Sequence, residues 1–130
     1  MDENSLSRIV IGAAIRVHSD LGPGLLESSY KESLFYELTD SELYVEKEKP
    51  MPLVYREVRL ECGYRVDLLV DNKLIVEVKA VERTTDVHLA QVLTYLKLSE
   101  CRLGLLLNFH AARMKDGIRR VVYGLKDSPF

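Results

Sequence analysis

Cysteine is almost missing: Cys62 and Cys101 are the only two. Two residues build neither a disulfide framework nor a zinc or iron–sulfur ligand set. That usage places the chain in the cytoplasm. No apolar run approaches the ~20 residues that span a bilayer, so no membrane role is expected. The start, MDENSLSR, is polar and lacks the shape of a signal peptide. Positive charge is not in excess, because the formal net charge is −2. The chain as a whole therefore does not attract nucleic acid, and any such binding needs a local patch. Repeats, low-complexity tracts, internal linkers and a separate sequence-reading domain are also absent. What remains is 130 residues of which 47% are hydrophobic, enough for a core and too many for a disordered chain. One domain over residues 1–130 follows.

The chain is organised around Tyr64 to Lys79, YRVDLLVDNKLIVEVK. Two apolar strand-like runs flank Asp71-Asn72-Lys73, which has turn composition. Val66, Leu68, Val70, Leu74, Val76 and Val78 are apolar and even-numbered, while Arg65, Asp67, Glu77 and Lys79 are odd-numbered. Both even faces can be buried together only if paired positions sum to an even number. A three-residue loop pairs Val70 with Leu74 and sets Asp67 opposite Glu77; a bulge would restore the same parity. A one-residue slip would bury the charges. Asp67, Glu77 and Lys79 then share one face, the other being sealed in the core. Two carboxylates and an ammonium at close quarters make a divalent-metal site with an activating lysine, or else a structural ion-pair cluster on a sheet rim.

The periodicity predicts a helix over about 5–20, capped by Asn4 or Ser5 and ended by Gly22. A second helix is expected over about 25–39, with Leu26, Tyr30, Leu34 and Leu38 as its stripe and Leu25 and Phe35 alongside. Glu27 sits in its first turn, where the helix dipole favours an acid whatever else it does. Residues ~43–60 read as two strands broken by Pro50-Met51-Pro52, with Glu46 to Lys49 as a solvated edge. A helix is expected over ~86–99, with Leu89, Val92, Leu93 and Leu96 inward and His88, Gln91 and Tyr95 on another face. His88 alone reads as a surface histidine, and Gln91 with Tyr95 could be a simple hydrogen-bonding pair. Arg102 to Asn108 is a continuous apolar strand, and the strand–helix–strand order implies a parallel neighbour and a sheet covered by helices. Met114 to Gly117 is a turn, and Ile118 to Tyr123 is a last strand whose Arg119-Arg120 forms a solvated edge or touches phosphate. The tail, KDSPF, reads as frayed. The order is helix, helix, three or four strands, helix, strand, strand: an α/β fold with a mixed sheet.

Asp67, nine intervening residues and Glu77-Val78-Lys79 resemble the core motif of the PD-(D/E)xK nuclease superfamily. Gln91 and Tyr95, on the helix after the lysine strand, resemble the QxxxY extension of RecB-like nucleases. Gly24 to Tyr30, GLLESSY, fits the pattern of the GxxExxY protein family, a small branch of that superfamily. The resemblance runs in order through LGPGLLESSY, CGYRVDLLV, VEVKAVE, AQVLTYLKL, GLLLNF and MKDGIRRVV, nearly the whole chain. Val66 stands where the motif's proline would be.

The resemblance implies a restriction-endonuclease-like core, a mixed central β-sheet flanked by helices, and metal-dependent hydrolysis of phosphodiesters. Asp67 and Glu77, the Val78 carbonyl and Glu27 would hold Mg²⁺ or Mn²⁺. Lys79 would orient or deprotonate the attacking water, or neutralise developing charge. Gln91 and Tyr95 would position the lysine or a substrate phosphate, and Tyr30 would pack or orient. DNA is the expected substrate ahead of RNA, with specificity coming from a protein partner, an oligomer or substrate structure; a homodimer would give two sites for two strands. The competing reading is a catalytically inactive nuclease-fold module that binds nucleic acid or a protein partner.

Overall fold

The computed structural model describes residues 1–125; the tail expected to fray, residues 126–130, lies outside the described residues. The first helix, α1, spans Glu3–Leu21. Its cap is Asp2 rather than Asn4 or Ser5: the Asp2 carboxylate accepts the Ser5 N–H at 2.8 Å. A carboxylate also faces the positive end of the helix dipole, so the helix gains an early turn. Leu6, Val10, Ala13, Ala14 and Val17 form its buried stripe, and Gly22, at φ 67°, ends it.

The second helix, α2, spans Glu27–Asp40 and buries Tyr30, Leu34 and Leu38. The expected start at residue 25 is too early. Gly24 has φ 104° and Leu26 is extended, so the chain enters helix only at Glu27. Leu25 and Leu26 are consequently exposed, not part of the stripe. Tyr30 ties this loop down: its hydroxyl donates to the Gly22 carbonyl at 2.5 Å and accepts the Leu25 N–H at 3.0 Å. Its ring stacks on Phe109 with centroids 4.7 Å apart.

Strands β1 (Val45–Pro50), β2 (Leu53–Tyr55), β3 (Val58–Leu60), β4 (Arg65–Val70) and β5 (Leu74–Lys79) follow. The stretch expected to hold two strands holds three. Leu53–Tyr55 and Val58–Leu60 pair only with each other, as a small ribbon outside the main sheet. Then come helix α3 (Asp86–Ser99), strand β6 (Leu103–Asn108), a 3₁₀ turn at Met114–Gly117 and strand β7 (Ile118–Val122). The main sheet has the order β1-β4-β5-β6-β7, and only β5 and β6 are parallel.

The β4–β5 hairpin has the register that parity required, with Val70 paired to Leu74 and Leu68 to Val76. Asp71 and Asn72 are both left-handed, and the Lys73 N–H closes the turn on the Val70 carbonyl. Lys73 is the extra residue that keeps the sum even.

Leu68, Val70, Leu74, Val76 and Val78 pack with Leu103, Leu105 and Leu107 of β6 under α1 and α2. Leu69 and Ile75 pack on the opposite face with Tyr95 and Leu96 of α3. The inward set of α3 is Val92, Tyr95 and Leu96; Leu89 and Leu93 are only half-buried, so Tyr95 belongs to the core face. Strand β6 is buried at every residue, as a central parallel strand covered on both sides must be. Gly104 is what lets α3 lie so close: a Cβ there would meet Val92 Cγ1 at 2.6 Å.

Candidate active site

The site forms where the β4–β5 ladder ends. Their backbone pairing stops at Leu68 and Val76. Beyond it the carboxylates take over the strand amides. The Asp67 N–H donates to Glu77 Oε1 at 2.9 Å, and the Val78 N–H donates to Asp67 Oδ2 at 2.8 Å. Asp67 and Glu77, on different strands, are thereby locked side by side. A strand residue directs its N–H and C=O to the same side, so the Val78 carbonyl faces β4 as well.

Parity holds from Leu68 onward but not at Val66. Val66 is buried in the cluster beneath α3, not in the cluster shared by its even-numbered neighbours. The β1 partner position is interrupted too: Lys47 pairs with Leu68 and Lys49 with Val66, while Glu48 has φ 57° and leaves the ladder. Strand β4 thus turns over at Asp67. That turn opens Asp67 both to α2 and to α3, whose charged or polar residues act on it or are acted on by it.

Glu77 is only 4% exposed. Its carboxyl is pushed up to about 8, first by burial and next by the neighbouring Asp67 charge. Asp67 is also raised, with burial the main cause; the Val78 N–H and the Lys31 ammonium oppose it, and Glu27 adds to it. The pair therefore holds a proton at neutral pH. Tyr95 is pushed up to about 12 by burial and then by Glu77 and Asp67, so its hydroxyl stays protonated beside them. Gln91 Nε2 donates to that hydroxyl at 3.2 Å, and the Tyr64 ring meets the Tyr95 ring edge-on at 6.4 Å.

Lys79 is half-buried, two residues beyond Glu77 on β5, and makes no ion pair among the described residues. Its backbone is held firmly. The Phe109 N–H donates to the Lys79 carbonyl at 2.9 Å. Asn108, its partner in the parallel register and 6% exposed, bonds both the N–H and the C=O of Val81. Glu27 is exposed in the first turn of α2, within electrostatic reach of Asp67. Among the described residues no group of three or more His, Cys, Asp or Glu stands close enough to hold a metal ion. His88 serves the helix rather than the site, since its Nδ1 accepts the Thr85 N–H at 3.0 Å and caps α3. Arg119 and Arg120 lie exposed on the edge strand β7, two strands from β4-facing β5, and Arg120 bonds Asn4.

Three participants escaped the sequence reading. Asn108 looked like the end of an apolar run, and only the parallel register against Lys79 reveals it. Lys31 was legible as Glu27 plus four, the same helix face. Glu48 was hidden in a run of alternating charge, and its charges prove to be engaged with α2, not merely solvated: Lys47 bonds Glu32 and Glu48 bonds Lys31.

The donor set suits a hard cation. It comprises carboxylate and carbonyl oxygens, Glu77 buried and Asp67 half-buried, with like charges crowded and a proton retained where a cation would relieve them. A mixed sheet of five strands flanked by three helices, with two carboxylates and a lysine at its split, is consistent with a restriction-endonuclease-like fold. The family model described as PD-(D/E)XK nuclease superfamily matches residues 4–121, and the chain belongs to that superfamily. Nucleases of this superfamily generally use divalent metal ions. No curated protein and no solved structure matches the chain. No helix among the described residues is long and apolar enough to cross a membrane.

Proposed function

We propose that this protein is a nuclease of the GxxExxY branch that hydrolyses phosphodiester bonds of DNA with Mg²⁺ or Mn²⁺. The observation that carries the reading is the Asp67–Glu77 pair, Glu77 buried and Asp67 half-buried, interlocked through strand amides, with Lys79 next on β5. Asp67, Glu77 and the Val78 carbonyl would hold the ion, and Glu27 would complete its shell directly or through water. A bound ion would polarise the scissile phosphate and stabilise the charge that grows on it. Lys79 orients the attacking water or neutralises developing charge, and its ammonium makes no ion pair among the described residues. Gln91 and Tyr95 position Lys79 or a substrate phosphate through a hydroxyl that stays protonated. Two unpaired cysteines, one exposed and one buried, suit a cytoplasmic protein.

The test is thermal stability with and without Mn²⁺, for wild type and for Asp67→Asn. At a hundredfold excess over Kd the ion stabilises by about 2.7 kcal/mol, roughly 10 °C for a chain of this length. The rise should vanish in the variant, and cleavage of DNA should follow the same dependence. A wild type that does not respond sinks the metal site. That outcome would support the second reading, an inactive nuclease fold that binds nucleic acid or a protein partner. The exposure of Glu27 favours it.

A further inference from the structure

We propose that Lys31 is a second phosphate-binding group, held ready beside Asp67 by Glu48. The proposal rests on the nuclease reading and deepens it by naming a second contact to the substrate backbone.

Lys31 follows Glu27 by one helical turn, so both charges leave α2 on one face, beside the Tyr30–Leu34–Leu38 stripe. That face is turned towards the site. Lys31 and Glu27 both act on Asp67, and Lys31 acts on it more strongly than Lys79 does. The Lys31 side chain is only 17% exposed, so its stem is packed and its ammonium has little freedom to wander. Two cations therefore flank the carboxylate pair, Lys79 from β5 and Lys31 from α2.

Glu48 explains how Lys31 is held. It occupies the β1 position between the pairs Lys47–Leu68 and Lys49–Val66, where Asp67 would be its partner. There, and at no other residue of β1, the backbone is left-handed, with φ 57°. Leaving the ladder turns the Glu48 carboxylate to Lys31, and the two form an ion pair. A left-handed glutamate inside a strand is unfavourable, and a pair whose acid is 42% exposed stabilises little. The arrangement makes poor sense as a stability device. It makes good sense as a way to set an ammonium in place. Glu48 engages one of three ammonium protons, which leaves Lys31 able to donate to a phosphate oxygen.

The electrostatics require such a group. Asp67, Glu77 and Glu27 surround the place where a polyanion must come, and the net charge of the chain is −2. A substrate phosphate on the α2 side of the carboxylates would meet Glu27 and Glu48, and Lys31 is the cation of that side that acts on Asp67. Glu32, Lys47 and Arg65 complete the charges that act on the Lys31–Glu48 pair.

The test is fluorescence anisotropy of a labelled DNA duplex in Ca²⁺, titrated at several salt concentrations, with wild type, Lys31→Ala, Lys31→Arg and Glu48→Gln. Loss of one phosphate contact lowers the slope of log K against log salt by about 0.9 and weakens binding about fivefold to tenfold near 0.1 M salt. Lys31→Ala should show both effects with an unchanged melting temperature, and Lys31→Arg should restore them. Glu48→Gln should weaken binding, by less than Lys31→Ala, because the ammonium loses the carboxylate that sets it in place. Wild-type binding with an unchanged slope in Lys31→Ala overturns this proposal alone, and unchanged or tighter binding by Glu48→Gln overturns the part given to Glu48. A wild type that neither binds nor cleaves DNA overturns the nuclease reading and this proposal with it.

Discussion

Replacing Glu77 by glutamine should make the metal-free protein more stable above neutral pH. Glu77 is held at about 8 against the ordinary 4.5 of a glutamate, by burial first and the Asp67 charge second. A carboxyl raised in this way binds its proton more tightly folded than unfolded. Its favourable contribution is complete below about pH 4.5 and is lost as pH rises through 8. Between pH 5 and pH 8 the wild type should lose about 3 kcal/mol from this group, at about 1.4 kcal/mol per unit. That corresponds to a fall of roughly 10 °C in melting temperature. Glutamine keeps the shape, still accepts the Asp67 N–H and cannot ionise. The assay is urea and thermal unfolding of both proteins in EDTA at pH 5, 6, 7 and 8. The difference between the two removes the pH dependence they share. The variant should match the wild type near pH 5 and exceed it by about 2 kcal/mol at pH 8, the glutamine amide taking back part of the gain. A difference that does not change with pH, or a variant that is less stable at pH 8, would refute the reasoning. Mn²⁺ must displace the retained proton, so its stabilisation of wild type should grow with pH and be lost in the variant.

Lys79→Ala should lower the rate of DNA cleavage by orders of magnitude and shift the melting temperature little, because Lys79 makes no ion pair among the described residues; a large loss of stability would mark a structural lysine instead. Asn108→Ala removes three hydrogen bonds, to Val81 N–H, Val81 C=O and His110 N–H. It should destabilise by about 2–4 kcal/mol in urea unfolding and also slow cleavage, since the segment behind Lys79 loosens. Tyr30→Phe keeps the stack on Phe109 but leaves the Gly22 carbonyl and Leu25 N–H without their partner. A cost of about 1–2 kcal/mol is expected, with faster hydrogen exchange at Leu25.

Much of the fold was legible because local chemistry and burial agree. The Val70–Leu74 register followed from parity with a three-residue loop, since a one-residue slip would bury charge. The parallel β5–β6 pair followed from strand–helix–strand order, and α3 kept its expected bounds. The misreadings fell where an apolar residue has two competing uses. Leu25 and Leu26 fit a helical stripe, yet Gly24 delays the helix past them. Val54, Tyr55 and Val58 fit a strand of the main sheet, yet they form an exposed ribbon of their own.

For the site, the sequence by itself determined which charges could share a face: Asp67, Glu77 and Lys79, with Gln91 and Tyr95 one turn apart on the following helix. Period and spacing are local properties, set by strand pleat and helix pitch, so they can be read along one dimension. Only the tertiary structure decided that β4 turns over at Asp67, that Glu48 leaves its strand for Lys31, and that Asn108 braces the segment after Lys79. Those are meetings between elements distant in sequence, and they depend on how the packed layers force one backbone to yield to another. No spacing rule encodes that, because each partner satisfies its own local pattern equally well alone.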